Sequence, residues 1–128
     1  MKEALLISLG GALGALSRHL LTTSIVRTLG TAFPFGTLMV NGIGSFLLGF
    51  IMQICLTTNH IPPAFQMAVT IGFLGAFTTF STFSYETLNF FRDGGWHPGM
   101  LNIAANLAIS IGVVLLGMLA ARSIIPEV

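Results

Sequence analysis

Between Gly72 and Glu86 the chain reads Gly-Phe-Leu-Gly-Ala-Phe-Thr-Thr-Phe-Ser-Thr-Phe-Ser-Tyr-Glu inside an otherwise apolar segment. Phe80, Phe83 and Glu86 follow one another at intervals of three, so on a helix they share a face, with Thr79 and Thr82 beside it. A phenyl ring has a positive edge, and an edge-on ring approaches a small anion without any formal positive charge. Polar and ionisable groups at membrane depth are expensive unless they face protein or a water-filled cavity, so they mark a pathway or a binding site. The chemistry on offer is the binding and passage of a small ion. Phenylalanine at helical spacing is, taken alone, more often lipid-facing or core. Set among serines and threonines and ending at a carboxylate, it is poorly explained as a greasy surface.

The first half of the stretch has a different character. As one unbroken helix, Ala64 to Phe91 would be about 42 Å long, against a hydrocarbon core of about 30 Å. Gly72 and Gly75 lower helix propensity, and the hydroxyls of Thr78 and Thr79 compete for backbone carbonyls. A break is therefore expected between Gly75 and Thr79. Such interruptions free carbonyl oxygens that a cation such as Na⁺ can satisfy. The alternative is a mild kink satisfied by the threonine hydroxyls.

Two further polar stripes accompany it. Thr37, Asn41 and Ser45 recur at intervals of four on one apolar segment, and Asn102, Asn106 and Ser110 do so on another. One such residue is accounted for by hydrogen bonding between helices, at about 0.6 kcal/mol per contact. Polar stripes on three segments point instead to a shared hydrophilic route. Arg18 and His19 fall late in the first apolar segment, where Arg18 either snorkels to the interface or pairs with Glu86 or Asp93. His60 and His97 are assigned to loops. No cluster of His, Cys, Asp and Glu has metal-ligand spacing, and no Walker loop, Rossmann fingerprint or nucleophile elbow is present, so the chain does not read as an enzyme.

The elements that must position these residues are membrane helices. Of 128 residues, 54% are hydrophobic and 7% charged, which is the balance of a membrane protein. A net charge of +1 leaves no basic footprint for nucleic acid. Cys55 is alone, which excludes an internal disulfide. Four spans are predicted, near residues 4–23, 36–56, 63–91 and 100–121, forming a single all-α transmembrane domain over residues 1–128. The connections, at Thr28 to Pro34, Thr57 to Pro63 and Arg92 to Pro98, leave no room for a soluble domain. A signal peptide over Met1 to Ser17 is the competing reading of the start; Glu3 dilutes its basic region, and Arg18 and His19 stand where a cleavage site would be.

Lys2, Arg18, Arg27, Arg92 and Arg122 do not favour either orientation, so insertion both ways is nearly isoenergetic and two copies could pair antiparallel. Four helices hardly enclose a polar path while covering its far side, which favours a dimer. Gly10 with Gly14, Gly11 with Ala15, and Gly42, Ser45 and Gly49 allow close helix contact, within the protomer or at a dimer seam.

Together these residues resemble the Fluc family of fluoride channels, over essentially the whole chain. The carriers are Gly11 to Arg18, Gly36 to Asn41 with Gly44, Ser45, Phe46 and Gly49, and above all Gly72 to Glu86. The resemblance implies an antiparallel, dual-topology homodimer in the cell inner membrane with two fluoride pathways. It implies a structural Na⁺ held by the backbone carbonyls of Gly75 and Thr78. It places Phe80, Phe83 and Asn41 on the pore, with Ser81 and Thr82 in the motif and Glu86 at a polar entrance. Asn106 and Ser110 extend the path on the fourth span. There the family often presents an aromatic hydroxyl, and this chain offers Asn102 or Met100. The implied activity is passive export of F⁻. The rivals are a proton-coupled small multidrug transporter, which would need Glu86 as its carboxylate, and a noncatalytic membrane-complex subunit.

Overall fold

In the computed structural model, which describes residues 1–58 and 61–125, four helical spans pack side by side with alternating direction. Helix α1 covers Lys2–Leu29 and α2 covers Phe35–Thr57. The third span is composite: α3 (Pro63–Met67), a π-helical stretch (Ala68–Leu74) and α4 (Gly75–Phe77) form one rod, and α5 (Phe80–Arg92) follows a break. Helix α6 (Trp96–Ile124) is the fourth span. His60 lies outside the described residues.

Helices α1, α2 and α6 extend beyond their expected spans at both ends. Helix α6 starts at Trp96, before Pro98, so the last connection is shorter than its expected extent to Pro98. Proline is tolerated in the first turn, where its missing N–H has no helical partner to lose. His97 is correspondingly the second residue of α6, not a loop residue. The turn between α5 and α6 passes through Gly94 at φ 78°, a left-handed conformation that suits glycine.

Two pairs of parallel helices make the closest contacts, α1 with the π-helical stretch and α2 with α6. In each pair glycine brings backbone against backbone. A methyl group on Gly14 would collide with the Phe73 carbonyl, and one on Gly72 with that of Ile7. In the other pair, Gly49 abuts the Val114 carbonyl and Gly117 that of Phe46. Gly10, which abuts the Ala68 carbonyl, is used within the protomer, as are Gly14 and Gly49. The buried interior is rich in polar side chains: Thr37, Thr79, Thr87, Asn102 and Asn106 are buried beside Val40, Leu74, Phe77 and Phe83. Leucines and isoleucines line the outside, the inversion expected where the solvent is hydrocarbon.

Candidate ion pathway

The third span breaks at Thr78 and Thr79. Gly75 still has helical geometry (φ −62°, ψ −35°), whereas Thr78 (φ −83°, ψ 160°) and Thr79 (φ −152°, ψ 111°) are extended. Thr79 caps α5, its hydroxyl accepting from the Thr82 N–H at 3.2 Å and donating to Thr82 Oγ1 at 2.9 Å. Ser81 Oγ lies 3.3 Å from the same hydroxyl. Three hydroxyls therefore collar the start of α5.

Asn41 splints the break from α2. Its Oδ1 accepts from the Thr79 N–H at 2.8 Å, and its Nδ2 donates to the Thr79 carbonyl at 3.2 Å and to Asn106 Oδ1 at 3.0 Å. The Thr79 N–H would otherwise serve the Gly75 carbonyl one turn back, so that oxygen is released from the helix. The Thr78 carbonyl accepts a 3.3 Å bond from Arg18 Nη1. Gly44 makes room for this geometry, since a methyl group there would overlap the Thr78 side chain.

Two cavities meet at the break. The inner one, about 280 Å³, is lined by Asn41, Ser45, Thr78, Thr79, Phe80, Phe83, Asn106 and Ser110 among others. The outer one, about 390 Å³, is lined by Arg18, His19, Thr22, Thr37, Thr79, Thr82 and Glu86 among others. Thr79 is common to both and is itself buried, so it forms the waist between them. Phe80 and Phe83 pack with ring centroids 5.4 Å apart and planes tilted by 55°. Phe83 is 7% exposed and Phe80 74%, so the pair turns one ring into the protomer and the other toward its outside.

Residues 5–118 match the family described as CrcB-like protein, camphor resistance (CrcB). The chain belongs to the CrcB family. It is 49% identical over 117 residues to a protein of Dehalococcoides mccartyi named fluoride-specific ion channel FluC, covering 91% of this chain and 90% of that protein. It is 45% identical to a protein of the same name from Shewanella baltica, covering 91% and 94%. A third, from Citrifermentans bemidjiense, is 41% identical, covering 97% of this chain and the whole of that protein. The resemblance drawn from the sequence motifs is borne out.

In this CrcB-family chain the inner cavity gathers Asn41, Phe80, Phe83, Asn106 and Ser110, together with the break residues Gly75 and Thr78. Thr82 and Glu86 belong to the outer cavity, and Ser81 joins the collar through Thr79. Glu86 Oε1 accepts from Thr37 Oγ1 at 2.8 Å, while Oε2 is buried without a partner among the described residues. Arg18 shares a cavity with Glu86, yet its hydrogen bond goes to the Thr78 carbonyl rather than to a carboxylate. The released negative end of the helix rod attracts the guanidinium. On the fourth span, Asn102 is fully buried and Met100 is 56% exposed. Sequence reasoning missed the waist at Thr79 and the depth of Thr87. The signal for Thr79 was present, a threonine three residues before another at a helix start; for Thr87 there was none.

Proposed function

We propose that this chain is a fluoride channel that lets F⁻ leave the cytoplasm passively and so lowers fluoride toxicity. The observation that carries the reading is kinship: relatives matching nearly the whole chain bear the name fluoride-specific ion channel. The geometry around Thr79 supports it. A strongly hydrated anion must exchange its water for several modest donors that also release it. The hydroxyls of Ser81 and Thr82 and the ring edges of Phe80 and Phe83 are donors of that grade, held in place by Asn41 and Thr79, whose own protons are engaged within the protomer. The path runs from the outer cavity with Glu86, past Thr79, to the inner cavity with Asn106 and Ser110. Neutral HF crosses the lipid and dissociates in the less acidic cytoplasm; the channel returns the trapped anion without a covalent step.

The working unit is an antiparallel dual-topology homodimer of four-span domains in the cell inner membrane. The break supports this, because released backbone groups at membrane depth cannot face lipid, and Gly75 and Phe80 are exposed on the isolated protomer. A second copy would cover them. The carbonyls of Gly75 and Thr78 suit a structural Na⁺: both are hard oxygen donors, Gly75 has lost its helical partner to Asn41, and the Thr78 oxygen retains a second lone pair beside Arg18. The same pair from the second copy would complete the shell, and the ion would tie the two copies together.

Purified protein in liposomes should release F⁻ when the membrane potential is short-circuited, and should not release Cl⁻. Equal Cl⁻ flux, or a strict requirement for a proton gradient, would defeat the proposal.

A further inference from the structure

The hydrogen bonds that begin at the break form a closed circuit. The Thr79 N–H donates to Asn41 Oδ1 at 2.8 Å, and Asn41 Nδ2 donates to Asn106 Oδ1 at 3.0 Å. Asn106 Nδ2 donates to Asn102 Oδ1 at 2.9 Å, and Asn102 Nδ2 donates to Thr87 Oγ1 at 2.9 Å. Thr87 Oγ1 donates to the Phe83 carbonyl at 2.8 Å. The chain of bonds leaves the third span at Thr79, crosses α2 and α6, and returns at Phe83, one helical turn further on.

Every link donates in the same sense, and backbone groups that cannot exchange roles fix that sense. The Thr79 N–H can only donate and the Phe83 carbonyl can only accept. Between them, Asn106 Nδ2 is also held by the Asn102 backbone carbonyl at 3.1 Å. Reversing Asn41 or Asn106 would set two acceptors together at one end and two donors at the other, and reversing Asn102 would face two donors at Asn106 and draw the Thr87 proton away from the Phe83 carbonyl. Bonds aligned head to tail in a dry interior polarise one another, so a change at one link is felt along the circuit.

Asn102 is 0% exposed and lines neither of the two cavities, so it is not a contact for a passing ion. Its two side-chain bonds join the α6 amides to α5. We infer that Asn102 and Thr87 are positioning residues: through Asn106 they fix the orientation of the Asn41 amide and the first turn of α5 that carries Phe83, and thereby tune the selectivity of the path. What is selected rests on the fluoride reading; the circuit itself does not.

The test separates the two. In ¹⁵N-labelled full chain in micelles, Thr87→Val removes the hydroxyl at nearly constant volume, and Thr87→Ser keeps it. The side-chain amide signals of Asn41 and Asn106 should move in Thr87→Val and return in Thr87→Ser. An Asn41 signal that stays in place in Thr87→Val overturns the circuit, whatever ion the protein carries. In liposomes, Thr87→Val should raise the half-saturating F⁻ concentration about fivefold, the equivalent of one hydrogen bond, and admit Cl⁻. Asn102→Leu should do the same, and the double variant should be no worse than the stronger single one. Additive shifts, or lower thermal stability with unchanged half-saturation, overturn the positioning role. A wild type that moves no F⁻ defeats the fluoride reading alone, because the amide signals still decide the circuit.

Discussion

The side-chain amide of Asn41 hydrogen-bonds both backbone groups of Thr79, at 2.8 Å to its N–H and 3.2 Å to its carbonyl, in the manner of a neighbouring strand. One polar residue on α2 thus stabilises the break in another span. Asn41→Asp keeps the acceptor for the Thr79 N–H but turns an oxygen toward the Thr79 carbonyl and Asn106 Oδ1. Leaving buried groups unsatisfied costs about 1–3 kcal/mol. A lower unfolding temperature in detergent and loss of ion flux are expected; wild-type values for both would show that the splint is dispensable.

The two phenylalanines should separate in their effects. On the isolated protomer Phe80 is 74% exposed and Phe83 7% exposed, so replacing either by Ile removes a ring edge, but only Phe83→Ile disturbs packing within the protomer. Phe80→Ile should leave the helical fold of each protomer intact and conduct poorly. Phe83→Ile should lose both stability and conduction. Undiminished flux in Phe80→Ile would remove that ring from the path.

Glycine contacts predict a contrast along the helices. A methyl group on Gly14 meets the Phe73 carbonyl and one on Gly49 the Val114 carbonyl, whereas one on Gly112 meets nothing within 4 Å. Gly14→Ala and Gly49→Ala should each destabilise by about 1–3 kcal/mol through forced separation of the helices. Gly112→Ala should be neutral or stabilising, by up to about 1 kcal/mol from helix propensity. Equal behaviour of all three in thermal unfolding would contradict the parallel pairing of α1 with the π-helical stretch and of α2 with α6.

Four spans, the interruption of the third and the polar stripes were legible because each is a local pattern: apolar runs of membrane length, glycines before paired threonines, and side chains recurring every four residues. The break falls within the expected interval from Gly75 to Thr79 but at its far end, since Gly75 remains helical and the extended backbone is at Thr78 and Thr79, where Asn41 and Gly44 of another span receive it. Arg18 likewise took a carbonyl freed by that break, a partner that exists only after folding. The π-helical stretch packs backbone to backbone against α1 at Gly72 and Phe73, and no spacing in the sequence records it. Most of the proposed site lies around the inner cavity, while Thr82 and Glu86 sit on the other side of Thr79.

Glu86 distinguishes a channel from a proton-coupled transporter. Glu86→Gln retains the acceptor for Thr37 Oγ1, which lies 2.8 Å from Oε1, and removes the ionisable group. Fluoride release should persist in this variant. Loss of all transport, together with proton-driven efflux of a lipophilic cationic dye by the wild type, would assign Glu86 to proton coupling.

The central claim is tested most directly by ion release from liposomes holding the wild-type protein, loaded with F⁻ in one set and Cl⁻ in another, with valinomycin added to clamp the potential and no pH gradient imposed. Rapid F⁻ release beside retention of Cl⁻ is the predicted result. Retention of F⁻, or release of both anions at equal rates, would contradict the account.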